Sequence, residues 1–222
     1  MKLTGLSRRR FIGASSGVAA AAALVNLGGA DYASADTGTG TWNGATSENG
    51  WPVLDAPTAF TIEGSGQKVP LAGGDAATVL LHVARRFHYE MDSLRAGDVL
   101  GWTGDRKVTA PYESNYLSGT AIAIRPAWYP VGSKGNLYPG ELVVVRDILT
   151  ELDGVVAWGG DFATPKESHF EIALKDGHPR LKGVARKIRG WDAGPGDDGA
   201  GSIDAFDPRR RSAAQAFERR LA

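Results

Sequence analysis

Glu113-Ser114-Asn115-Tyr116-Leu117-Ser118-Gly119-Thr120-Ala121-Ile122-Ala123-Ile124-Arg125-Pro126 is the stretch on which the fold of this chain turns. From Thr120 it reads as a short strand closed by its proline. Residues 123 and 125 of such a strand point to the same face. Ser114 and Ser118 do not make a serine hydrolase. No G-x-S-x-G elbow accompanies them and no triad order can be argued.

Upstream, Phe60 to Leu71 suggests a hairpin about Gly64-Ser65-Gly66. Asp75 is placed to cap a helix over Ala76 to Leu94, with Val79, Leu80, Val83, Phe87 and Met91 as its apolar stripe. Downstream, Pro139 opens a helix to about Leu152 whose Leu142, Val145, Ile148, Leu149 and Leu152 form a buried face. Val155 to Trp158 and His169 to Leu174 read as strands, and Ser212 to Leu221 as a short helix. Helices and strands mix without βαβα alternation. The expected class is α+β: a small, mostly antiparallel sheet with helices packed on one side.

The N-terminus reads as targeting signal. Ser7-Arg8-Arg9-Arg10-Phe11-Ile12 matches a twin-arginine motif, an alanine-rich run follows to Leu27, and Ala33-Ser34-Ala35 suits a signal peptidase. The expected division is 1–35 signal peptide, 36–50 flexible leader, 51–190 domain, and 191–222 a Gly-rich, partly disordered tail. Cleavage before Asp36 leaves 21 basic and 24 acidic residues, a net charge of about −3. That balance points to neither nucleic acid nor a membrane as partner after cleavage. With no cysteine, disulfides, thiolate metal sites and cysteine nucleophiles are excluded. The expected location is secreted or cell-wall associated, reached in folded form through the twin-arginine translocase.

Three segments taken together carry a resemblance: Glu113 to Ala123, Val156-Ala157-Trp158-Gly159-Gly160-Asp161, and Pro165-Lys166-Glu167-Ser168-His169-Phe170-Glu171. The arrangement resembles the zinc D-alanyl-D-alanine carboxypeptidases and L-alanyl-D-glutamate endopeptidases that trim peptidoglycan stem peptides, from about Trp51 to Leu174. In that family S-x-H-x-x-G-x-A-x-D supplies a histidine and an aspartate ligand. A later strand brings a second histidine, preceded by an acidic general base. The resemblance implies a hedgehog-type fold and keeps the frame: Ser114, Gly119, Ala121, Trp158, Gly159, Gly160, His169 and Phe170. It departs at the chemistry. Tyr116 holds the first ligand position, Ala123 the aspartate position and Lys166 the general-base position, so His169 is the one ligand left.

Catalytic zinc needs three protein ligands and an open position. A neutral tyrosine is a poor ligand, alanine is none, and an ammonium takes no proton from bound water. The expected function is therefore a zinc-less relative of a stem-peptide peptidase, binding peptidoglycan stem peptides or another extracellular peptide with no cofactor. Tyr116, Arg125, Lys166 and Trp158 are its expected binding set, with Lys166 and His169 at the former catalytic positions. Arg125 and Lys166 reach the old zinc cavity from two sides and hold a carboxylate, or else both are solvated surface charges. One rival is an active zinc peptidase with a site rebuilt from His169 and Glu171, Glu167, Glu113 or Asp161. Another is an enzyme using Lys166, His169, Tyr116 and Arg125 for metal-independent chemistry.

Other features read more plainly. His82 and His88, six apart on one helix, do not share a face as metal ligands. One is expected buried and hydrogen-bonded, the other exposed. Trp128, Tyr129 and Tyr138 either line the groove or form a satellite cluster under a loop. The family's substrate-clamping arginine has four candidates upstream of Tyr116: Arg85, Arg86, Arg95 and Arg106.

Overall fold

Alternation along two short, wholly buried strands sends their side chains into two different clusters. In the computed structural model, which describes residues 39–193 and 203–221, β1 (Gly40–Thr41) pairs antiparallel with β5 (Lys107–Val108). The hairpin β2 (Thr58–Thr61) and β3 (Lys68–Leu71) forms a second antiparallel pair. The central sheet is antiparallel in the order β4 (Val99–Leu100), β6 (Ala121–Ile124), β8 (His169–Ile172), β7 (Val156–Trp158). The helices are α1 (Asp75–Glu90), α2 (Pro139–Glu151), α3 (Pro179–Ala193) and α4 (Pro208–Leu221). The expected α+β class with small antiparallel sheets and helices is observed. None of the described helices is long and apolar enough to cross a membrane.

Ile122 and Ile124 of β6 and Phe170 and Ile172 of β8 join the main core with Leu80 and Val83 of α1 and Ile148 and Leu149 of α2. Each of these side chains is almost wholly buried, which stabilises by roughly 1.5–3 kcal/mol apiece. The alternate residues, Ala121 and Ala123 with His169 and Glu171, face away from that core, and the two alanines pack with Tyr116. Ala123 lies directly opposite His169, and Ala121 opposite Glu171, in the β6–β8 register.

Several elements depart from expectation. Helix α1 stops at Glu90, not Leu94, because the chain turns and the His88 ring accepts the Leu94 N–H at 2.9 Å. Helix α3 was not anticipated; Leu181, Val184, Ala185 and Ile188 are its buried stripe. Helix α4 starts at Pro208 and packs on α2, so the tail is structured there. Residues 40–50 are not a free leader. Ser47 Oγ donates to Ser118 Oγ at 2.9 Å, and the Glu48 and Asn49 N–H groups reach Ser114 Oγ and Asn115 Oδ1 at 2.8 and 3.1 Å. The twin-arginine signal of residues 1–35 and the Gly-rich stretch 194–202 lie outside the described residues.

Candidate functional site

Gly119 and Gly159 bring the three segments together. Gly119 sits at φ +66° where a Cβ would lie 2.5 Å from the Ala72 nitrogen, so only glycine lets the loop enter β6 against β3. A Cβ on Gly159 would lie 2.4 Å from the Lys166 carbonyl oxygen and 2.9 Å from His169 Cβ. Its absence closes the turn in which Lys166 N–H donates to Gly159 O, and His169 N–H to Lys166 O, at 3.0 and 2.9 Å. Lys166 and His169 are thereby set beside each other. Tyr116 comes from the last position of a 3-10 turn, Pro111–Tyr116, that leads into β6.

The centre is a buried chain of hydrogen bonds. His169 is fully buried, and its Nε2 lies 2.7 Å from Glu171 Oε2. Burial holds the imidazole below its ordinary pKa, although Glu171 opposes this, so the ring is neutral. An ionised carboxylate accepts only, so Nε2 carries the proton and Nδ1 accepts the Tyr116 O–H at 2.7 Å. Asn115 Nδ2 donates to the same Glu171 oxygen at 2.6 Å. Burial, with nearby Glu113, holds Tyr116 well above the usual phenol range. Tyr116 is therefore a neutral donor and not a phenolate nucleophile.

Lys166 covers this chain. Its ammonium donates to Glu113 Oε1 at 2.8 Å and lies 4.9 Å from the centre of the Tyr116 ring. Burial raises the Glu113 carboxyl, but the Lys166 hydrogen bond and charge outweigh it and leave the net shift downward. Tyr112 and Phe162 pack on His169 at ring distances of 4.8 and 5.8 Å.

Of the expected binding set, Tyr116 and Lys166 meet at His169. Arg125 does not. Its φ of +55° ends the strand alternation, and its guanidinium turns to Asp92 Oδ2 at 2.6 Å and Ser93 O at 3.3 Å, between the rings of Phe87 and Trp128. The paired-cation reading fails for that reason. Trp158 is also removed from the set. It is buried, donates to Glu167 O at 2.8 Å and is covered by Arg146, which makes it a post beneath the turn.

A zinc centre does not fit these residues. Both His169 nitrogens are committed, and Ala123 offers no donor where the aspartate would face His169. Glu167 accepts two N–H groups and an amide from Gly135 and Asn136, each at 2.9 Å, while Asp161 is held by Arg146 and Glu113 by Lys166. Among the described residues no three histidine or acidic side chains converge as ligands. The set His169, Glu171, Glu167, Glu113 and Asp161 is thus distributed over separate interactions.

The remaining candidates fall into place. His82 is buried against Glu151 at 2.8 Å, and His88 is half-buried. Trp128 and Tyr138 are exposed while Tyr129 is buried, so they form no common cluster. Arg85 and Arg86 pair with Glu63 and with Glu90, Asp147 and Glu151, and Arg106 with the Trp42 and Gly44 carbonyls. None of these contacts is at Tyr116. Sequence reasoning missed Asn115, Tyr112, Phe162 and Glu48 as neighbours of the site. The Ser/Asn-rich composition of residues 43–49 was the available signal, since such side chains bond loop backbones. Comparison with models of known protein families, with curated proteins and with solved structures gives no match.

Proposed function

We propose that this chain is an exported, zinc-less relative of the peptidoglycan stem-peptide peptidases, of hedgehog-type fold, that binds a cell-wall peptide without cleaving it by zinc chemistry. One observation carries the reading: the ring nitrogens of His169, the one ligand position left, are both consumed inside the protein by Tyr116 and Glu171. A metal there would have to displace the partner of one nitrogen of a fully buried ring and would still lack the second and third protein ligands. The frame that would hold a peptide remains, with Gly119 and Gly159 setting Tyr116, Lys166 and His169 together.

The test is calorimetric titration of the purified protein with a D-alanine-terminated stem peptide, with and without a chelator, followed by chromatography for released D-alanine. Binding that the chelator leaves unchanged, with no D-alanine released, is the expected result. Absence of binding, or chelator-sensitive release of D-alanine, overturns the reading.

A further inference from the structure

Helix α4 meets α2 through short side chains. Ala205, just before α4, and Ala214 within it are buried there, at positions where longer side chains would fill the space between two helices. A cavity of about 320 Å³ is left, with Leu142 and Val143 of α2 as its opposite wall. Leu142 is 37% exposed, so the cavity opens to solvent. Such walls give water few of the two to four polar partners it needs, and an apolar group displaces it readily. The polar side chains that line the cavity are of two kinds. Arg146 and Glu218 hold each other, Nε to Oε1 at 2.7 Å, and Arg146 also donates to Asp161. Arg211 and Gln215, four apart on α4 and so on one face, have no side-chain hydrogen bond or ion pair among the described residues. Apolar surface continues beside the mouth, where the exposed Phe206 ring would lie 3.6 Å from a Cβ on Gly140.

We propose that this cavity binds a small amphipathic monocarboxylate, an aliphatic tail ending in one carboxylate. The inference is independent of the binding role proposed above, since the cavity shares no residue with the Tyr116–His169–Glu171 chain. Leu142, Val143, Ala205 and Ala214 receive the tail. No aromatic ring lines the cavity among the described residues, so the walls suit an aliphatic chain. A volume of about 320 Å³ lies at the small end of ligand pockets, which calls for a short chain. The head is chosen by charge. A guanidinium donates two parallel N–H bonds to a carboxylate, and the Gln215 amide supplies a further donor. An ammonium would meet the like charge of Arg211. A dianion would bring two charges to the one guanidinium not already paired, with the Glu218 carboxylate on the same cavity.

The experiment titrates the purified protein at neutral pH with n-octanoate, n-octanol, n-octylammonium and n-octyl phosphate, which share a tail and differ in head. Calorimetry is expected to show octanoate binding about tenfold or more tightly than octanol, as a charge-assisted hydrogen bond provides, and octylammonium more weakly than either. Arg211→Gln, at an exposed position, is expected to bring octanoate down to the affinity of octanol and to leave octanol unchanged. Methyl NMR of the parent protein locates the tail, since octanoate is expected to shift the resonances of Ala205 and Ala214. The proposal is overturned if octanoate does not bind, if it binds no better than octanol, or if its preference survives Arg211→Gln. Unmoved alanine methyls, or tighter binding of octyl phosphate than of octanoate, overturn it equally.

Discussion

His82 and His169 are both buried histidines whose Nε2 meets a glutamate, at 2.8 Å for Glu151 and 2.7 Å for Glu171. Their surroundings differ. Around His82, between α1, α2 and α4, Arg86 and Arg210 are interleaved with Glu90, Asp147 and Glu151, and Arg85 approaches Nδ1 at 3.1 Å. Each carboxylate there has a cation against it, so the cluster is closed. Around His169 the second ring nitrogen meets a tyrosine, and Glu171 has no arginine or lysine against it among the described residues. A buried network in which every carboxylate meets an arginine fastens helices, whereas the Tyr116–His169–Glu171 chain fastens β8 to the turn that leads into β6.

The largest effect expected from breaking the balanced side is that of Arg86→Met. It leaves Asp147, Glu90 and Glu151 short of a cation in a buried site, and should cost about 3–5 kcal/mol in denaturant unfolding. Acid should do the same more gradually. Burial raises the Glu151 carboxyl, but the His82 hydrogen bond and the Arg86 and Arg210 charges outweigh it and bring it to about 2. Because the folded value lies below the ordinary 4.5, the contribution is complete above that pH and is lost as pH falls through about 2. It amounts to about 3 kcal/mol, read as the fall in unfolding free energy between pH 5 and pH 2. At the other histidine, Tyr116→Phe removes one neutral bond and leaves Nδ1 unpaired in a buried ring, for about 1–3 kcal/mol in the same assay. The smallest effect is that of Glu48→Gln, within about 0.5 kcal/mol of the parent, since the exposed carboxylate supports no packing. A large loss from Glu48→Gln would erase the contrast between the two clusters.

Much of this contrast had a sequence signature on one side only. The Ala121–Ile124 and His169–Ile172 strands were legible because their residues alternate, and that alternation already sorted His169 and Glu171 from Phe170 and Ile172. The same rule failed at Arg125, where a left-handed backbone ends the strand and turns the side chain to Asp92. Helix α3 went unread because Gly183 and Gly190 interrupt a short, highly charged segment whose stripe appears only once Leu181 to Ile188 is seen packed on α1. Glu48 was invisible for a different reason. It reaches the site through its backbone N–H on Ser114, 66 residues away, and such a contact leaves no periodic trace.

The central claim is that His169 serves hydrogen bonds rather than zinc. The direct measurement is the metal content of the protein, purified after export without added zinc and again after zinc is offered and excess removed, by elemental mass spectrometry. The account predicts no stoichiometric zinc in either sample. About one zinc per chain retained in either would contradict it.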